Sequence, residues 1–175
     1  MEIKKKISYP VSIREVNDHL RISDDDDENY LKRLIKVATQ EAESQLGMSL
    51  AYTKNTFIID DFSSDEVEIF EGNYKSISSI QNDASANVAY DKVVVSGHKF
   101  IVELSNYVTT GPLTIVFYTG FNSDDEDNDF MESAKQYILI KIADLYEPLR
   151  SSFSFGALKA NDHIGHLLDG KRGYY

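Results

Sequence analysis

The spacing of apolar residues changes twice along this chain, and that change limits the folds available to it. Near the N-terminus and again after residue 129, apolar residues recur every three or four positions, as in amphipathic helices. Between about residues 54 and 118 they alternate with polar residues, as in strands. The pattern predicts an α+β fold, with a helical core of two N-terminal helices and one long C-terminal helix and a small antiparallel β insert between them.

The two N-terminal helices have recognisable ends. The first covers about residues 12–21, where Ser12 and Glu15 have the spacing of a capping box. The second covers about residues 25–46 and ends before Gly47, a typical C-terminal stop. Its predicted buried face consists of Leu31, Leu34, Ile35, Ala38, Ala42 and Leu46.

The third helix, about residues 129–146, is apolar around most of its circumference, so more than one side of it must be covered. Pro148 ends it. Residues 151–175 then read as a mobile C-terminal segment, with an apolar patch followed by a basic end. The length of 175 residues suits a single domain spanning residues 1–175.

The β insert contains one clear strand and one clear hairpin. Leu113, Ile115 and Phe117 alternate with polar or smaller residues, and two apolar triplets flank the turn sequence 96–99. The hairpin predicts antiparallel pairing, because a short connection of this kind joins neighbouring antiparallel strands.

Acidic residues are concentrated in three segments. Residues 24–28, 60–71 and 124–132 hold 17 of the 29 acidic residues and no basic ones, within a net charge of −11. The rest of the chain, with 12 acids against 18 bases, is therefore net positive. A chain with segregated charge can present acid to DNA and base to a protein neighbour.

The chain lacks the residues that several classes of function need. The chain has no cysteine, no apolar run near the ~20 residues of a membrane span, and no nucleophile elbow or phosphate-binding glycine loop. Neither acid run has the glycine and glutamate spacing of a calcium loop, and His163 with His166 gives too few ligands for zinc. The sequence thus predicts no enzyme, no cofactor and no metal.

Four motifs follow one another along the chain, in residues 11–38, 115–121, 138–150 and 166–172. The first is a serine-capped helix ending in Leu-Arg-Ile, followed by an aspartate run and a long helix. In this order the motifs resemble tailed-phage head–tail connector (adaptor) proteins, the gp6-like connectors of lambda-like siphophages. Here Pro148 and Leu149 stand where the family has one residue. The resemblance covers about residues 11–50 and 113–172.

The resemblance implies a structural protein of a phage or prophage virion. The protein would lie in the bacterial host cytoplasm before assembly and at the head–tail junction of the virion afterwards. Its copies would form a twelvefold ring below the portal protein and would join it to stopper or tail-completion proteins. DNA would pass through the ring without specific binding, and no membrane would be involved.

The resemblance also suggests roles for particular residues. The expected portal-docking segment contains Ile164, Leu167, Leu168, Lys171 and Arg172. The subunit-interface candidates on the third helix are Tyr137, Ile140, Ile142 and Tyr146. The channel-facing acid candidates are Asp25, Asp26, Asp125 and Asp127, because acid at the channel wall repels DNA phosphates.

A second reading of the residues stays open. Clustered carboxylates such as Asp60-Asp61 can serve a small α+β hydrolase or ligand-binding domain, if a cleft brings them together.

Overall fold

The structure, a computed structural model, describes residues 1–22, 28–82, 86–108, 111–122, 129–146 and 167–168. In chain order the elements are β1 (Glu2–Ser8), α1 (Ile13–Leu20), α2 (Glu28–Leu46), β2 (Tyr52–Ile59), β3 (Ser64–Ile69), β4 (Tyr74–Gln81), β5 (Tyr90–Ser96), β6 (Lys99–Val108), β7 (Leu113–Thr119) and α3 (Asp129–Tyr146).

These elements fall into two compact units. The strand unit consists of Met1–Ser8 and Ala51–Phe121 and contains β1 to β7. The helical unit consists of Tyr9–Leu50 and Asn122–Tyr175 and contains α1, α2 and α3.

The strand unit contains two antiparallel sheets around one apolar core. One sheet has the strand order β1-β2-β7-β4 and the other β3-β6-β5. Strand β7 shows the expected alternation, since Leu113, Ile115 and Phe117 are buried and the residues between them are half-buried. The buried core comprises Phe62, Val67, Ile69, Ile80, Phe100, Val102, Leu104, Leu113, Ile115 and Phe117.

Aromatic rings from both sheets meet at the centre of this core. The rings of Phe100 and Phe117 pack edge-on with centroids 5.1 Å apart, and the Tyr74 ring lies 4.6 Å from that of Phe100. Burial of such a side chain stabilises a fold by about 1.5–3 kcal/mol, so these rings are a main source of stability for the strand unit.

The predicted fold class is wrong in its balance of helix and strand. The described residues contain seven strands in two sheets and three helices, which is a sheet-rich fold and not a helical core with a small β insert. The strands of residues 52–119 need no helix to form a core, because the two sheets bury their apolar faces together. Strand β1, absent from the prediction, adds a fourth strand to the larger sheet.

One glycine makes the end of β7 possible. Gly120 has a φ of +86°, and a Cβ atom there would lie 2.0 Å from the carbonyl oxygen of Ala51. Its N–H donates to the carbonyl of Asn73 at 3.0 Å, and the next residue, Phe121, forms an isolated bridge with Ala51. Only glycine fits this close approach of two backbone segments.

In the helical unit, α1 begins with the predicted capping box. The Glu15 N–H donates to the Ser12 hydroxyl at 3.2 Å, and the Ser12 N–H donates to the Glu15 carboxylate at 2.6 Å. The helix ends at Leu20 and is capped by Arg21, which has a left-handed backbone with φ 59°. The capping-box prediction is therefore confirmed.

Helices α2 and α3 supply most of the core of the helical unit. The six apolar positions predicted for α2 are all buried, and Thr39 is buried with them. On α3 the buried side chains are Met131, Ala134, Tyr137, Ile138 and Ile142. Gly47, with φ 67°, follows the last residue of α2.

Candidate interaction surfaces

Helix α3 directs part of its apolar surface into its own unit. Tyr137 and Ile142, two of the four predicted subunit-interface residues, are completely or almost completely buried within the chain. The other two, Ile140 and Tyr146, are half-buried. The structure therefore leaves Ile140 and Tyr146 partly accessible to a neighbour and uses the other two in the core.

A polar cluster fixes α3 against α2 around the buried Tyr137 ring. The Gln45 side-chain amide donates to the Tyr137 hydroxyl at 2.7 Å, and that hydroxyl donates to the Glu41 carboxylate at 3.3 Å. The Lys141 ammonium lies 2.6 Å from the same carboxylate and 5.9 Å from the Tyr137 ring centroid. Such a connected cluster sets the relative position of two helices more specifically than apolar contact alone.

Charged groups also join α1 to α3. The Lys135 ammonium lies 3.5 Å from Glu15 and 3.3 Å from Glu132. Partial burial alone would raise the pKa of Glu15, but hydrogen bonds from Ser12 and the charge of Lys135 lower it below 4.5. Burial likewise opposes the charge of Lys135, yet its two carboxylates raise its pKa above 10.5.

The helical unit exposes a small apolar patch on α2 and at the end of α3. Tyr30 and Val37 lie two turns apart on one face of α2, and Val37 is 51% exposed. The Tyr30 ring lies 6.0 Å from the Tyr146 ring, and its hydroxyl donates to the Leu145 carbonyl at 3.5 Å. Exposed apolar and aromatic side chains of this kind are common in protein interfaces.

The strand unit exposes the edge strands β1 and β3. All residues of β1 are exposed, including Ile3 and Ile7. Phe70, directly after β3, is 73% exposed, and the centroid of its ring lies 5.8 Å from the Lys99 ammonium. Lys4 on β1 forms an ion pair with Glu71, which brings the end of β3 near β1. Partial burial opposes the charge of Lys4, but its contact with Glu71 raises its pKa on balance.

Most of the predicted portal-docking and channel residues lie outside the described part of the chain. This applies to Ile164, Lys171, Arg172, Asp25, Asp26, Asp125 and Asp127. Of the remaining two, Leu167 is half-buried and Leu168 is completely buried by its own chain.

The acidic pair considered for hydrolysis, Asp60 and Asp61, is exposed in the loop between β2 and β3. Within the described ranges no group of three or more histidine, aspartate or glutamate side chains is placed to hold a metal ion. No described helix combines the length and apolar character that a membrane crossing requires.

Comparison with known proteins gives one family match. The family described as phage gp6-like head-tail connector protein matches residues 10–98, which is just over half of the chain. This range includes α1, α2 and the strands from β2 to β5. No curated protein matches significantly.

Solved structures of particle necks share the fold. A chain from the neck of an empty gene transfer agent particle, computed with C6 symmetry, is 16% identical with a TM-score of 0.70. A chain from the native particle's neck, computed with C12 symmetry, is 15% identical with a TM-score of 0.69. Each alignment covers 99% of this chain and 96% of the other.

The family match over residues 10–98 includes the capped helix and the long second helix, which carry the opening motif of the sequence resemblance, and also the strands that follow. The likeness to the neck chains extends over both units. The chain belongs to the phage gp6-like head-tail connector protein family.

Proposed function

We propose that this chain is a structural head–tail connector of a phage or prophage and performs no catalysis. Its copies form a ring of twelve below the portal protein, at the head–tail junction of the virion, after synthesis in the bacterial cytoplasm. DNA passes through the ring, and stopper or tail-completion proteins attach to its other end. The family match over residues 10–98 carries this proposal.

The fold of the gene transfer agent chains supports the same role. Those chains come from necks computed with C6 and C12 symmetry, and nearly the full length of each aligns with this chain. Cyclic symmetry closes a ring when each subunit contacts its neighbours in the same way. A ring is also the arrangement that leaves a central passage for DNA.

The C-terminal segment is the proposed portal contact. Leu168 is completely buried by its own chain, so it would anchor the segment, while Leu167 is half-buried and partly available. Ile164, Lys171 and Arg172 would then meet the portal, with the two basic residues pairing with acid on its surface.

Deletion of residues 164–175 tests this contact. The shortened chain should lose binding to the portal protein encoded with it in a pull-down, but it also loses the buried Leu168 and therefore some stability. A second variant, Lys171→Glu with Arg172→Glu in the full-length chain, keeps Leu168 and should lose binding while its circular dichroism spectrum stays unchanged. Portal binding that survives both changes would refute the docking assignment.

The acidic residues Asp25, Asp26, Asp125 and Asp127 are the proposed channel wall. Like charges on the wall and on the phosphates remove the contacts that dominate non-specific DNA affinity. DNA can then slide through the ring without being held.

A further inference from the structure

Strands β1 and β3 each have an open side. In the described part of the chain, β1 pairs only with β2, and β3 pairs only with β6. Every residue of β1 is exposed, and so are the three acidic residues of β3. An open strand edge presents backbone N–H and C=O groups that a strand from another molecule can pair with.

The outer face of β1 carries an unfavourable pair of like charges. Lys5 lies directly opposite Lys54 on β2, and both side chains are exposed. Like charges opposite each other on paired strands destabilise the pair. Neither lysine forms an ion pair with any described residue, so within the described part of the chain no carboxylate compensates these two positive charges.

The outer face of β3 carries the opposite arrangement. Glu66 lies directly opposite Glu103 on β6. Glu103 is compensated by Lys92 on β5, whose ammonium lies 3.5 Å from its carboxylate. Glu66, on the open side of the row, has no ion-pair partner among the described residues. Glu66, Glu103 and Lys92 thus form a row across β3, β6 and β5, and no basic residue stands beside Glu66 at the open side of β3.

From these two rows we infer that copies of this chain join edge to edge, with β1 of one copy paired to β3 of another and Lys5 beside Glu66. The joined sheets carry a continuous row in the order Lys54, Lys5, Glu66, Glu103, Lys92, in which each like-charge pair gains an opposite charge. The partner is thus a second copy of this chain, and the inference rests on the proposed self-association.

Cysteine cross-linking tests the contact directly, because the chain contains no cysteine. The variants Lys5→Cys and Glu66→Cys are prepared separately, mixed at high concentration, oxidised and run on a non-reducing gel. Directly opposed residues on paired strands have Cα atoms about 4.5–5.5 Å apart, within the range of a disulfide. A disulfide-linked dimer should form in the mixture and not with either variant alone.

The control replaces Glu66→Cys by Lys92→Cys, which lies on the same outer face two strands away. Its mixture with Lys5→Cys should give no dimer. A dimer of Lys5→Cys alone, or equal yields in both mixtures, overturns the edge contact. The absence of any cross-link also overturns the edge contact. Light scattering on the same samples then shows whether the chain still self-associates, and self-association without the cross-link would leave the connector proposal intact.

Charge reversal gives a second readout. Lys5→Glu or Glu66→Lys alone should weaken self-association by about two- to fivefold, and both changes in one chain should restore it. Edge lysines can also act only to discourage unwanted pairing. In that case Lys5→Glu would leave association unchanged or strengthen it, and the inference would be wrong.

Discussion

Gly120 is the residue at which backbone geometry restricts the sequence most severely. A side chain there would overlap the Ala51 carbonyl. To relieve the overlap, the backbone just after β7 would have to move away from the backbone just before β2. We expect Gly120→Ala to destabilise the fold by about 3 kcal/mol or more, measured by chemical unfolding.

Gly97, in the turn between β5 and β6, provides the matched control. It also has a positive φ, +58°, but a Cβ there would meet nothing within 4 Å. Gly97→Ala should therefore cost only the backbone strain, about 1 kcal/mol. Equal losses for the two variants would contradict the role assigned to the Ala51 carbonyl.

At the scale of elements, α1 depends on a charged cap. Hydrogen bonds from Ser12 and the charge of Lys135 outweigh burial and depress the pKa of Glu15 below 4.5. A group with a depressed pKa contributes stability above its unfolded pKa, and that stability disappears as the pH falls through its folded pKa. Glu15→Gln, which keeps a side-chain acceptor, should lower the free energy of unfolding at pH 7.

The same variant should match the original chain in strong acid, where Glu15 is protonated. Chemical unfolding at several pH values measures this, and a difference that persists unchanged below the folded pKa would contradict the charge argument. Ser12→Ala, which removes the neutral half of the cap, should lower the free energy of unfolding by about 1 kcal/mol both at pH 7 and in strong acid.

The elements also differ in how far the sequence reveals them. Periodic spacing locates α2 and its buried face, because one helix side carries all the apolar residues. Strand β1 carries no comparable signal, since all its residues are exposed and its pairing with β2 depends on backbone hydrogen bonds. The predicted helical core failed because the apolar pattern does not say whether strands pack on helices or on a second sheet.

Residues at a possible interface are also hard to predict from the sequence when their neighbours lie on strands that are distant along the chain. The charged rows at Lys5 and Glu66 depend on strand register, which the sequence of each strand alone does not specify. The apolarity of α3 correctly indicates burial at Tyr137 and Ile142, but it does not indicate that α3 buries them in its own unit.

For the whole molecule, the separation of charge has a consequence for DNA. The proposed channel residues Asp25, Asp26, Asp125 and Asp127 should keep the assembled ring from binding DNA. Changing all four to lysine should create salt-sensitive DNA binding by the ring, measured by fluorescence anisotropy at low and moderate salt. The matched control makes the same number of changes to lysine at exposed acids outside the proposed wall, Asp60, Asp61, Asp65 and Glu66, and this variant should bind DNA less.

The ring below the portal is the central claim, and the mass of the portal complex tests it most directly. Light scattering should compare the portal protein encoded with this chain before and after the chain is added in excess. A ring of twelve subunits of 19.8 kDa should add about 238 kDa to the portal. A portal mass that does not change at saturating concentrations of the chain would contradict the account.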